Sequence, residues 1–145
     1  MQSRPPDHAL TLAALGIVAF VLADVTHDAL GHGLAILAFG SKPVLLTSCN
    51  IDYTGATTRW IPAAGGIANL VIGFVALLAV RLNWKASPQL RYFFVLGASF
   101  NLFFAAGYPI ASGRARFGDL AAVIAGWTPI WAWRLLLIAV TLILY

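Results

Sequence analysis

The chain has 145 residues and a formal net charge of +4, and 61% of the residues are hydrophobic while only 10% are charged. Soluble domains are about 25% charged, so this composition excludes an ordinary soluble protein and indicates an integral membrane protein. The basic residues are scattered beside apolar runs, as is typical of anchors at lipid headgroups, and they give no indication of nucleic-acid binding. The length suits a single domain, residues 1–145.

The apolar runs predict an all-α, polytopic membrane protein with about four transmembrane helices and a short re-entrant or interfacial segment. A helix needs about 20 apolar residues to cross a hydrocarbon core of roughly 30 Å. The first run, which follows Arg4, also fits a secretory signal peptide. Because apolar sequence resumes after Asp28, we expect a retained helix. The predicted helices are residues 9–39, 61–82, 91–108 and 130–145.

Four ionisable side chains lie within residues 24–32, inside the first predicted helix. One Asp near the middle of a membrane helix costs roughly 2.5–3.5 kcal/mol on insertion scales, and a bound cation would compensate for it. His27 and His32 are five residues apart, which places them about 140° apart around a regular helix. A π-bulge across Ala29–Gly31 absorbs one residue and would turn both imidazoles toward one ion. Gly31 favours this distortion because it has no Cβ.

The most polar stretch, residues 40–60, follows the first helix and predicts a connecting loop with a small hairpin. Residues 44–47 are β-prone, and residues 48–55 are rich in turn formers. An exposed strand edge is a general way to bind an extended peptide, but an ordinary connecting loop fits the same sequence. Cys49 is the only cysteine, so the chain predicts no internal disulfide and no cysteine metal site.

Polar residues in the later segments each have two interpretations. Asn69 and Asn101 fit interhelical hydrogen bonds, or they fit positions beside a catalytic centre. Asp119 follows a predicted loop at 109–118 and fits the N-cap of a short segment at 120–126. The topology also allows Asp119 to meet the histidines. His27 lies about 27 Å along the first helix, and two further crossings return the chain to the same side of the membrane.

Several motifs resemble those of zinc peptidases. The stretch His27-Asp28-Ala29-Leu30-Gly31-His32 resembles the expanded H-E-x-x-x-H signature of dipeptidyl peptidase III-type enzymes, with Asp in place of Glu. Its apolar setting resembles the site-2 protease family, the membrane-embedded zinc peptidases. Residues 64–70 resemble the A-G-P-x-A-N-L stretch of that family, with Gly66 in place of Pro. Residues 101–119 resemble the N-L…G-Y…S-G…G-D segment of its small members.

This resemblance implies an intramembrane zinc metallopeptidase that hydrolyses peptide bonds in or near the bilayer. His27, His32 and Asp119 would bind zinc and leave a fourth position for water, whose pKa zinc lowers toward ~7. Asp28 would be the general base. The resemblance further implies a multi-pass protein of the bacterial inner membrane, with a membrane-protein substrate or a larger membrane complex as its partner. The residues expected to support the ligands are Asp24, Asn69 and Asn101.

The main alternative is a catalytically inactive relative that serves as a structural or accessory subunit of a membrane complex. In that case Asp24–His27 and Asp28–His32 would be polar pairs inside the bundle. A haem or quinone site is a third interpretation, but it requires a partner histidine on another helix. His8, in the predicted N-terminal tail, is the only other histidine of the chain, which argues against this interpretation.

Overall fold

The computed structural model describes residues 8–47, 50–82, 85 and 87–144. Predictions for the N-terminal tail, for Cys49 and for most of the turn at residues 83–86 lie outside the described residues. Three described helices are long and apolar enough to cross a membrane: Ala9–Ala38, Trp60–Leu82 and Pro88–Ala115. The chain is therefore mostly helical and of the membrane type, as predicted. A fourth apolar helix is shorter, so the number of crossings stays a prediction.

The first long helix contains a π-helical segment at the predicted place. It begins as α1 (Ala9–Val25), continues as the π segment (Thr26–Gly33), and ends as α2 (Leu34–Ala38). Val25 and Leu34, which flank the π segment, have ordinary right-handed helical dihedral angles. The predicted distortion is confirmed, but it extends over eight residues instead of one bulged position. The helix therefore passes through the polar cluster without ending.

A small antiparallel hairpin follows the first helix, as the sequence predicted. Strand β1 (Lys42–Leu46) pairs with β2 (Ile51–Thr54), and the register shifts between Pro43 and Leu45. Proline cannot donate to the ladder, so an irregularity beside Pro43 is expected. The hairpin lies next to the π segment and is thus held close to the histidines.

Helices α3 (Trp60–Leu82) and α4 (Pro88–Ala115) are the other two long helices. The prediction for α3 is confirmed. The prediction for the third helix was wrong at its end, because α4 continues through Pro109 to Ala115 where a loop was expected. Proline removes one backbone donor, but membrane helices tolerate it where neighbouring elements enclose it, and Pro109 is buried. The helix ends where Arg116 adopts a left-handed conformation.

The chain ends in α5 (Asp119–Val123) and α6 (Ile130–Leu144). Helix α3 packs against α4 and the π segment, while α4 also contacts α1 and α6. Few large apolar side chains are buried. Most of the large apolar side chains are exposed on the outer surface of the helices. This distribution suits a lipid environment, where helices associate through close packing of small residues.

Candidate metal centre

Three side chains from two distant parts of the chain converge at one end of the bundle. His27 and His32 come from the π segment, and Asp119 is the first residue of α5. His27 Nε2 lies 2.9 Å from Asp119 Oδ2 and 3.2 Å from His32 Nε2, and His32 Nε2 lies 3.3 Å from Asp119 Oδ2. The π segment is what allows two histidines five residues apart to point at the same place.

His27 Nε2, His32 Nε2 and Asp119 Oδ2 form a triangle whose size fits one metal ion. In a tetrahedral zinc site with bonds of ~2.0–2.1 Å, neighbouring ligand atoms are about 3.3 Å apart. Both histidines are buried, and the Asp119 side chain is 22% exposed. These three residues form a group that can hold a metal ion. Imidazole nitrogens and a carboxylate oxygen are common zinc ligands.

A backbone carbonyl orients His32. Its Nδ1 lies 2.7 Å from the carbonyl oxygen of Ile61, in the first turn of α3. A carbonyl oxygen only accepts, so Nδ1 carries the proton, and in the neutral ring the lone pair is then on Nε2. Metal-binding histidines almost always donate their other N–H in this way. His32 is thus held in the tautomer that binds a metal.

Two glycines allow the helices to approach closely beside the donor atoms. A Cβ on Gly31 would lie 2.5 Å from the Gly65 Cα, so the π segment and α3 cross with their backbones in contact. A Cβ on Gly65 would lie 2.6 Å from His32 Nε2 and 2.7 Å from His27 Nε2. The sequence predicted that Gly31 eases the helical distortion. In the structure Gly31 has a second role, because the absence of a side chain there allows α3 to approach the histidines closely.

The Asp119 carboxylate faces the histidines and does not cap its own helix. Gly118 occupies the N-cap position of α5, and this N-terminus has no side-chain cap hydrogen bond. Burial raises the pKa of the Asp119 carboxyl, but hydrogen bonds from His27 and His32 outweigh it and lower the pKa to about 2. The alternative N-cap interpretation of Asp119 was therefore wrong. At neutral pH this carboxylate is a full negative charge directed at two imidazoles.

The chain has no significant match among family models, curated proteins or solved structures. The assignment of a metal centre rests on the geometry of its own residues. With its proton on Nδ1, neutral His32 has a lone pair at Nε2, 3.3 Å from the Asp119 carboxylate oxygen, and two such acceptors repel each other unless a proton or a cation lies between them. Neutral His27 also presents a lone pair at Nε2 when its proton is on Nδ1. A divalent cation satisfies all three at once.

A cleft of about 180 Å³ opens beside the donor atoms. Asp28 lines this cleft together with the three ligands and is itself only 7% exposed. The hairpin contributes Ile51 and Tyr53, and α4 contributes Tyr108. The cleft therefore combines a carboxylate outside the ligand set, a strand and the metal-binding residues in one space that admits several water molecules.

The residues predicted to support the ligands lie further from the donor atoms. Asp24 is half-buried in the last turn of α1. The Asn69 Nδ2 lies 3.4 Å from the Ala23 carbonyl oxygen and ties α3 to α1, whereas the Asn101 Nδ2 donates to Gly97 within its own helix at 2.8 Å. Neither amide contacts a ligand through these bonds. The interhelical interpretation holds for Asn69, and the supporting role stays a prediction for all three residues.

Sequence reasoning missed three contributors to the site. They are the close approach of Gly65, the Ile61 carbonyl, and the Tyr108 ring, which lies 5.0 Å from the His27 ring. Gly65 and Tyr108 lie within the stretches that resemble site-2 protease motifs, but the resemblance gave neither residue a structural role. A backbone carbonyl has no signal in the sequence. All three depend on where α3 and α4 cross the first helix.

Proposed function

We propose that the protein is an intramembrane zinc metallopeptidase that hydrolyses peptide bonds in or near the bilayer. The observation that carries this proposal is the triangle of His27 Nε2, His32 Nε2 and Asp119 Oδ2, with sides of 2.9–3.3 Å, at the floor of a cleft. Three protein ligands and an open position are the arrangement of catalytic zinc sites, whereas structural sites use four protein ligands.

Each residue of the cleft has a defined task in this proposal. Zinc, when bound, supplies a water whose pKa is lowered toward ~7 and a Lewis acid for the substrate carbonyl. Asp28 accepts the proton of the attacking water and returns it to the leaving amine. His27, His32 and Asp119 hold the ion, and Gly65 keeps the space beside their donor atoms free.

The hairpin gives the cleft a surface for an extended substrate. In the two-stranded sheet, β2 pairs with β1 along one edge and has no strand on its other edge within the described residues. Ile51 and Tyr53 are two residues apart, so they share one face of β2, and both line the cleft. A peptide that adds to a free strand edge is held extended by main-chain hydrogen bonds. We propose that β2 presents the unwound part of a membrane-protein substrate to the metal.

The metal is tested first. The purified chain is expected to contain about one zinc per molecule, with Zn–N distances near ~2.0–2.1 Å by X-ray absorption. His32→Ala should remove the zinc, because it deletes a ligand. His8→Ala is the matched control, since His8 is exposed and precedes α1. Equal zinc content in His32→Ala and the native chain would eliminate this site.

The chemistry is tested with Asp28→Asn, which is nearly isosteric but cannot accept a proton. Zinc content should be unchanged, while cleavage of a membrane-helix peptide in detergent should fall roughly 10²–10⁴-fold. Asp24→Asn is the comparison, because it makes the same change at a carboxylate that does not line the cleft and should cost much less activity. Asp28→Glu should keep or raise the rate if the longer acid also reaches the water. If native chain with bound zinc never exceeds Asp28→Asn on a range of membrane-helix substrates, the chain is instead an inactive relative.

A further inference from the structure

The two histidines of the centre are held by different kinds of contact. His32 donates its Nδ1 proton to the Ile61 carbonyl at 2.7 Å. His27 Nδ1 is buried and has no hydrogen-bond partner in the part of the chain that the structure describes. Hydrogen-bond partners normally fix the orientation of a metal-binding histidine and raise its basicity. His27 Nε2 lies 2.9 Å from Asp119 Oδ2, so a contact in place of an Nδ1 hydrogen bond is what would complete the orientation of the ring toward the ion.

Two aromatic rings of α4 lie beside the His27 ring. The Tyr108 ring centroid lies 5.0 Å from that of His27 with 31° between the planes, and Phe104 lies at 6.1 Å with 34°. These two residues are one helical turn apart, so their rings form one continuous wall. His32 lies edge-on to His27 at 4.8 Å. Asp119 thus fixes the Nε2 side of the imidazole, and aromatic rings pack against the ring.

We infer that Tyr108 is a positioning residue for the metal centre, whose ring takes the place of the missing hydrogen bond at His27. The inference rests on the proposed metal centre, although it does not require peptidase activity. Tyr108 also lines the cleft, so the same ring forms part of the wall beside Asp119 and His27. Phe104 supports the arrangement from the preceding turn.

The physical basis is the charge that an imidazole acquires when it binds a cation. A metal-bound ring carries more positive charge than a free neutral ring, and aromatic faces attract positive charge. Aromatic pairs in such tilted arrangements are stabilised beyond the effect of burial alone. The Tyr108 ring therefore favours the metal-bound form of His27 and also restricts its rotation. A leucine at position 108 would provide bulk without the π face.

The test compares three variants by zinc affinity, measured in competition with a chromophoric chelator. Tyr108→Leu should weaken zinc binding roughly 10–100-fold, the usual cost of losing a partner that orients a ligand. Tyr108→Phe keeps the ring and should bind within about threefold of the native chain, since the proposed role belongs to the π face. The matched control is Tyr92→Leu, because Tyr92 is an exposed tyrosine of the same helix.

Cobalt substitution adds a readout that a loss of packing alone would not change. The visible absorption of bound Co²⁺ reports coordination geometry, and Tyr108→Leu should alter it while Tyr108→Phe and Tyr92→Leu should not. Native affinity and spectrum in Tyr108→Leu would overturn the inference and leave the metal centre standing. Equal losses in Tyr108→Phe and Tyr108→Leu would also overturn it, because they assign the role to the hydroxyl.

A second variant keeps the inference testable if Tyr108→Leu does not fold. Phe104→Leu removes the other ring of the wall and should weaken zinc binding about three- to tenfold, since its ring lies further from His27. Native affinity in Phe104→Leu would then refute the role of the wall. A native chain that binds no zinc at all refutes the proposed metal centre itself, and this inference with it, so the two failures are distinguishable.

Discussion

A Cβ on Gly65 would lie 2.6 Å from His32 Nε2, whereas a Cβ on Gly97 would meet no atom within 4 Å. These glycines mark two regions of one bundle. The metal end consists of the π segment, the first turns of α3, the last turns of α4, and α5. The far end consists of α1 and the remaining parts of α3 and α4. There the three helices leave an apolar cleft of about 190 Å³ between them.

The difference follows from what each region must hold. In lipid, apolar side chains gain little by leaving their surroundings, so tight packing arises where small residues or polar groups bring helices together. At the metal end, ionisable side chains require burial against protein, and the backbones of Gly31 and Gly65 meet to enclose them. Asn101 and Thr26 are the polar residues that line the far cleft, and Thr26, the first residue of the π segment, lies where the two regions meet. Helix backbones thus meet where charge is enclosed, whereas at the far end a side chain, Leu102 against Gly73, makes the close contact.

The largest expected effect comes from adding one methyl group at the metal end. Gly65→Ala places its Cβ within 2.7 Å of both His Nε2 atoms, so we expect zinc binding to be lost while the helical content is kept. Gly66→Ala is the control, because a Cβ there meets no atom within 4 Å. Zinc content by atomic absorption decides between them. Native zinc content in Gly65→Ala would remove the contrast between the two ends.

Replacing the carboxylate ligand should have the next largest effect. Asp119→Asn keeps the shape of the side chain but removes its charge, and we expect zinc affinity to fall at least about tenfold, because Asp is a charged ligand and Asn a weak neutral one. Asp24→Asn makes the same change one turn before His27 and should have a much smaller effect. Similar losses in the two variants would mean that general electrostatics, and not ligation, governs the metal end.

The acid sensitivity of zinc binding should depend on the histidines and not on Asp119. As the pH falls, protons compete with the metal for the two imidazole nitrogens. The pKa of Asp119, about 2, lies below its ordinary value, so the carboxylate stays ionised near neutral pH, and any stability it contributes is lost progressively as the pH falls from the ordinary carboxyl pKa through about 2. Below neutral pH, the slope of log affinity should therefore not exceed two protons per zinc, one for each histidine ligand. A slope of three would contradict this description.

The smallest effect is expected at the far end. Gly97→Ala enters open space within α4, so zinc affinity should not change and the free energy of unfolding should rise by no more than about 1 kcal/mol. Gly73→Ala is the informative comparison, because its Cβ would lie 2.7 Å from Leu102 Cγ and should lower stability. Thermal unfolding in detergent measures both. A clear loss of zinc affinity in Gly97→Ala would show that the two ends are coupled.

The sequence was sufficient for features that depend on local composition. The apolar runs predicted the long helices, and the turn formers beside β-prone residues predicted the hairpin. The five-residue spacing of His27 and His32 predicted a π distortion because no regular helix aligns them. Counting membrane crossings allowed Asp119 to meet the histidines, and the motif resemblance implied that it is a ligand. The structure brings Asp119 within hydrogen-bonding distance of His27.

The features that sequence reasoning missed depend on contacts between elements. Pro109 was taken as the start of a loop because its local effect is to break helices, but α5 and α6 pack against α4 and enclose its last turns. The role of Gly65 follows from where α3 crosses the π segment, and that of Tyr108 from where α4 faces His27. Such crossings are set by side-chain packing over the whole bundle, and a single sequence does not encode them in a local pattern.

The π segment also determines what an insertion or deletion in the first helix would do. Each residue inserted in a helix rotates everything after it by about 100° relative to everything before it. The π segment absorbs one such rotation, so deleting one residue from 29–31 should restore a regular helix while Ile36 and the hairpin keep their present neighbours. The deletion would give His27 and His32 the four-residue spacing that places two side chains on one face of a regular helix. Zinc bound by such a deletion variant would show that the site requires a shared helix face and not the π backbone itself.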